Sequence, residues 1–101
     1  MKIKYTTPFT QIANIVIQSK KLSVYEKMIY IVLCSHANQN RGCFPSYKTI
    51  AAECGCSERK AIATVKMLEE KNYVKVKRRK TQEGNYRSNL YEMVIPGAGD
   101  A

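Results

Sequence analysis

Two serines frame the chain more tightly than any other feature. Ser46 and Ser57 stand eleven residues apart, and Gly55 lies just before the second. A serine hydroxyl accepts from the free amides that open a helix, and glycine takes the left-handed conformation that closes one. Ser46 is therefore expected to open a short helix through Ile50 and Ala51, with Gly55 ending it and Ser57 opening a second. In the second, Ala61, Thr64, Val65 and Leu68 recur at i, i+3, i+4 and i+7, the spacing of one buried face. Only about two residues separate the helices, so the turn is tight, and two short helices crossing at a glycine turn form a helix-turn-helix.

The flanks extend the pattern. Ser23-Val24-Tyr25-Glu26 is a capping box, in which serine and glutamate satisfy each other's amides. The helix it opens is expected to run to about Ala37. It is apolar nearly all round, as a central helix should be, and Asn38-Gln39-Asn40-Arg41-Gly42 breaks it. Upstream, Thr7-Pro8 reads as a cap with proline at the first helical position. Phe9, Ile12, Ala13 and Val16 follow at helical spacing, although the β-branched Ile15-Val16-Ile17 leaves a short strand open. Beyond Asn72 the period falls to two, with Val74 and Val76 alternating with Lys75 and Lys77. Glu83-Gly84-Asn85 supplies a turn, and Tyr86 to Ile95 returns as a second strand. The expectation is an α+β chain of three to four helices plus a C-terminal hairpin. One domain would span 1–95, with the helix-turn-helix at about 46–71, the hairpin at about 73–95, and 96–101 as a flexible tail.

Charge narrows the partner. The 101 residues carry a net charge of +9, yet residues 23–70 contribute only +1 while residues 71–87 contribute +6. A solvated face mixes its signs. A short stretch of one sign points to a polyanion, with a plain soluble basic loop as the bland alternative. The longest apolar run, Met28 to Cys34, is far shorter than the roughly 20 residues that cross a bilayer. No signal-peptide pattern follows Met1, so a cytoplasmic protein without membrane contact is expected. Cysteines stand at 34, 43, 54 and 56. Only Cys54-Gly55-Cys56 is close, which fits buried thiols better than a zinc site or a disulfide framework. Catalysis finds little support: His36 is the one histidine, Gly55 and Gly84 stand alone, and Glu69-Glu70 reads as solvated helix. No catalytic residue, metal or cofactor is expected.

The run Ser46-Tyr47-Lys48-Thr49-Ile50-Ala51-Ala52-Glu53-Cys54-Gly55-Cys56-Ser57-Glu58-Arg59-Lys60-Ala61 resembles the helix-turn-helix core of bacterial winged-helix proteins. Leu68-Glu69-Glu70-Lys71-Asn72-Tyr73-Val74 resembles their passage from recognition helix into wing. The likeness is greatest to the winged helix-turn-helix DNA-binding domains of phage and plasmid replication and maintenance proteins, over roughly residues 9–95. Cys56 stands where that pattern usually has valine, and Ala61 where it has a larger aliphatic residue. Ile62 stands where a polar residue is more usual. Replication initiators of this kind usually continue into a further domain, whereas this chain stops, so an accessory or regulatory protein is expected.

Such a module binds. Ser57, at the start of the second helix, can offer its hydroxyl and amides to a phosphate. Arg59 is the best base reader, since its fork matches guanine O6 and N7, and Lys60, Ala63 and Lys66 lie along the same exposed stripe. Glu58 either accepts from cytosine N4 or simply favours the helix start. Ile62 has three readings: a thymine-methyl contact, a dimer contact, or core. In the wing, Lys75, Lys77, Arg78, Arg79, Lys80 and Arg87 are expected on phosphates or in a narrow minor groove, with Asn85 and Tyr86 adding polar contacts at the tip. Ser46, Tyr47 and Lys48 are placed to clamp the backbone, Tyr47 having ordinary packing as its alternative. The expected function is sequence-specific binding of double-stranded DNA at an origin of replication or conjugative transfer. The partners would then include replication or relaxase proteins of the same element. An operator-binding repressor would use the same residues, and a protein-interaction winged helix is the third reading. Paired binding as a homodimer or as adjacent monomers is expected, with Met1 to Ser19 as the dimer element.

Overall fold

The structure, a computed structural model, describes residues 9–39, 45–80 and 86–94, with side chains except at 37–39, 78–80 and 86–88. Four helices, α1 (Asn14–Ile17), α2 (Val24–Gln39), α3 (Tyr47–Cys54) and α4 (Glu58–Glu70), precede two strands, β1 (Val74–Lys80) and β2 (Tyr86–Met93). The strands pair antiparallel as one hairpin. This is an α+β winged helix-turn-helix.

Helices α2, α3 and α4 begin where their cap chemistry places them. In the capping box, the Ser23 amide donates to Glu26 Oε1 at 2.7 Å and the Glu26 amide to Ser23 Oγ at 3.2 Å. Ser46 Oγ accepts from the Thr49 amide, and Ser57 Oγ from the Lys60 amide, both at 3.1 Å. Gly55 ends α3 with φ of 78°, where a side chain would strain the backbone. The N-terminal helix is much shorter than its sequence suggests. Phe9 to Ala13 are not helical, and Ala13 is extended with no side-chain cap. Without such a cap, local spacing alone does not hold a helix there. Ile12 and Ala13 still pack on the core from extended chain. Thr7, Pro8 and the 83–85 turn lie outside the described residues, as do residues 40–42 of the expected break.

The core gathers the apolar faces of three helices and the hairpin base: Ile29, Tyr30 and Leu33 from α2, Ile50 from α3, Ala61, Val65 and Leu68 from α4, and Val74 and Tyr91 from the strands. Two tyrosines fasten the hairpin to the central helix. Tyr30 meets the Tyr73 ring edge-on at 6.1 Å, and its hydroxyl donates to the Val94 carbonyl at 2.9 Å. Burial pushes the Tyr30 phenol up to about 12, so it stays a neutral donor. At the far end of α2, His36 Nε2 contacts Glu53 Oε1 of α3 at 2.5 Å.

The end of α4 has its own device. Asn72 is left-handed at φ 66°, the Tyr73 amide donates to the Leu68 carbonyl at 2.9 Å, and the Asn72 amide to the Glu69 carbonyl at 3.1 Å. This is a Schellman ending with asparagine in the place glycine usually fills. Lys71, the residue before it, turns back to α2. Its ammonium donates to the Lys21 carbonyl at 2.7 Å and lies 2.9 Å and 2.8 Å from the two oxygens of Glu26. Burial alone would raise the Glu26 carboxyl. Lys71 and the Ser23 amide and hydroxyl outweigh it and hold the carboxyl below its ordinary 4.5. The Glu26 Oε2 atom is buried and takes the charge of Lys71 without a well-directed hydrogen bond.

Candidate nucleic-acid interface

The two faces of α4 divide sharply. Ala61, Thr64, Val65 and Leu68 are buried, as their spacing predicts, while Arg59, Ala63 and Lys66 are exposed. Residues 59, 63 and 66 are spaced i, i+4 and i+7, so they form one row on the outward side. Thr64 is buried with its hydroxyl satisfied, donating to the Lys60 carbonyl at 2.7 Å. A helix about 10–12 Å across, backed by a core and showing one row of long side chains, matches the roughly 12 Å major groove.

Lys60 departs from that row. Its ammonium sits 4.7 Å from the centroid of the Tyr25 ring, on the flank of α4 that faces α2. No local spacing links residues 25 and 60, so this contact leaves no sign in the sequence. Ser57 spends its hydroxyl acceptor on the Lys60 amide, and Glu58 is exposed in the first turn. Ile62 is 44% exposed, so its reading as core is corrected. It lies far enough round the helix from Ala61 and Val65 to miss the core.

The clamp candidates separate. Lys48 is exposed, and Ser46 is half-buried with its hydroxyl donating to Thr49 Oγ1 at 3.1 Å. Tyr47 is half-buried against the core, and its hydroxyl accepts from Asn89 Nδ2 of β2 at 3.0 Å. Asn89 also donates to the Tyr91 hydroxyl at 3.2 Å, which makes it the strut between α3 and the wing. Sequence reasoning missed Asn89, whose partner is 42 positions away.

In the wing, Lys75 and Lys77 are exposed and alternate with buried Val74 and half-buried Val76. The register sets Val74 opposite Met93, Lys75 opposite Glu92, Val76 opposite Tyr91 and Lys77 opposite Leu90. It then shifts, so that Arg79 pairs with Arg87 and Lys80 with Tyr86. The shift gives β2 one residue more than β1 between these rungs, a bulge that increases local twist. Arg78 lies within β1, and Asn85 lies outside the described residues.

The thiols stand apart from this surface. Cys34, Cys54 and Cys56 are free and half-buried beside the core, and Cys43 lies outside the described residues. Burial pushes the Cys34 and Cys54 thiols up, with neighbouring Cys56 adding to the effect on Cys54. Among the described residues, no group of three or more His, Cys, Asp or Glu side chains is placed to hold a metal ion. No helix among them is long and apolar enough to cross a membrane.

The family model for the helix-turn-helix domain matches residues 20–74, which take in α2, α3, α4 and the first residue of β1. No curated relative matches the chain. The match covers more than half of the sequence, and its two crossing helices are α3 and α4 about the Gly55 turn: the chain belongs to the helix-turn-helix domain family.

Proposed function

We propose that the protein is a non-catalytic, sequence-specific double-stranded DNA-binding protein, an accessory factor of a plasmid or phage acting at an origin of replication or conjugative transfer. The exposed row Arg59–Ala63–Lys66 on the outward side of α4 carries this reading. In it, α4 enters the major groove, Arg59 reads a guanine by its two acceptors, and Lys66 follows the phosphates. Ser46, Lys48 and Ser57 hold the backbone beside the groove. Lys75, Lys77, Arg78, Arg79, Lys80 and Arg87 reach the neighbouring phosphates, with Asn85 and Tyr86 adding polar contacts. Lys60 supports the Tyr25 face and adds its charge at the groove edge. Binding of this kind uses no cofactor. The origin assignment rests on the resemblance to phage and plasmid proteins, and replication or relaxase proteins would be met at the same site.

Substitution separates the two arms. Arg59→Ala should cost about 1–3 kcal/mol on the preferred duplex and relax the choice at one base pair, leaving non-specific binding nearly intact. Lys77→Ala should instead weaken every duplex alike. If Arg59→Ala acts uniformly while a wing substitution changes base preference, the assignment of helix as reader is wrong. Footprinting on the element's non-coding DNA then decides the setting, since protection confined to promoters would overturn the origin role.

Binding in pairs is part of the proposal. One module of this size covers roughly 600–1,000 Å² on DNA, too little alone for tight specific binding. Phe9, Ile15 and Ile17, each at least half exposed, fall within the stretch assigned to the dimer contact. Light scattering is expected to show two chains on one duplex. A strict one-to-one complex on the full selected site would sink the paired arrangement.

A further inference from the structure

We infer that Ile62 reads a thymine through its 5-methyl group, which makes it a second base-specifying residue beside Arg59. The inference rests on the DNA-binding proposal and names what one position of that surface recognises. Ile62 is 44% exposed on a helix whose other aliphatic β-branched residue, Val65, is buried. It stands at i+3 from Arg59, i−4 from Lys66 and i+4 from Glu58, all three exposed, so the apolar side chain is bordered by two cations and one anion at the margin of the outward side of α4. Exposed Ala63 is its neighbour in sequence.

Charge selects the occupant of this position. With Glu58 offsetting one of the cations, the border of Ile62 keeps a net positive charge; a second copy laid across it would set that charge against its counterpart, whereas DNA brings phosphates to it. Within the major groove, the apolar group that a base edge presents is the thymine methyl. A β-branched side chain suits this contact, because its stiff χ1 leaves little rotamer freedom to lose.

The test uses the full chain and a duplex enriched from a random-sequence pool, with each thymine replaced singly by deoxyuridine. That change removes only the methyl and keeps the base pair. One thymine per bound chain should respond, with a loss of about fourfold, as for one buried CH₂. Ile62→Ala should bind the thymine duplex about as weakly as the unaltered protein binds the uracil one, with the ratio at that position falling to about one. Arg59→Ala should keep the methyl response. Ala is a good helix former on an exposed site, so the variant should fold, and circular dichroism checks it. The inference fails if no thymine responds, if the enriched duplex lacks a thymine in the contacted stretch, or if Ile62→Ala keeps the response. It also fails if Ile62→Ala changes only the number of chains seen by light scattering. Those outcomes leave DNA binding standing. Failure to enrich any duplex removes both readings together.

Discussion

Raising salt from about 50 to about 200 mM should lower the affinity for duplex DNA about a thousandfold. The figure comes from counterion release, in which each neutralised phosphate contributes about −0.9 to the slope of log affinity against log salt. Residues 71–87 carry +6, and their seven bases face one acid, Glu83. If the wing neutralises about five or six phosphates, the slope is near −5. Lys75 and Lys77 stand exposed on β1 with no core role to occupy them. Replacing Lys77, Arg78 or Lys80 by Ala should flatten the slope by about one each. Arg59→Ala should lower the line for the preferred duplex with much less change of slope. Titrations at four or five salt concentrations measure this directly, and a slope shallower than about −2 would show that the wing is not the phosphate clamp.

A large effect on stability is expected at Lys71. Lys71→Met should cost about 2–3 kcal/mol, which for a chain of this size lowers Tm by roughly 10 °C or more. The substitution leaves the Glu26 carboxylate buried with its capping hydrogen bonds but without its cation. The figure is reduced from that of a fully buried pair because the Lys71 side chain is 31% exposed. Glu26→Gln should cost less, because the ammonium it abandons reaches solvent and still donates to the Lys21 carbonyl. The acid limb carries the same signature. The folded-state carboxyl lies below its ordinary 4.5, so it stabilises the fold above that value and the contribution is lost as pH falls through the folded-state value. In Lys71→Met, burial becomes the dominant influence and the Glu26 part of this acid sensitivity should disappear. Thermal melts between about pH 3 and 7 follow it, and an unchanged acid limb would show that the pair contributes little.

Local chemistry made much of the fold legible. Ser23, Ser46 and Ser57 announce their helices because a cap needs only the next three residues, and Gly55 announces the turn because few residues tolerate its φ. Val74 and Val76 announce β1 by alternation. Contacts between distant positions leave no such trace. Glu26 completes a capping box, yet its second partner is 45 positions away, and Lys60 finds Tyr25 only after the helices have crossed. Asn72 was legible as a boundary, but its left-handed backbone shows only in the structure. At the candidate surface, the outward row of α4 follows from helical period alone. Ile62 sits where the period is ambiguous, at the margin between faces, and only the packing of its neighbours decides that it is out.

The Asn72 joint fixes a distance. Three residues connect α4 to β1, and each is held by a contact or a turn: Lys71 is tied to α2, Asn72 makes the left-handed turn, and Tyr73 is buried with its carbonyl accepting from the Val94 amide. Helix and wing are thus set like the jaws of a caliper with one opening. A ligand touching both meets a gap already made, and little binding energy goes into arranging it. One residue inserted between Glu70 and Val74 should therefore shift the wing relative to α4 while leaving the identity of every side chain proposed to contact DNA unchanged.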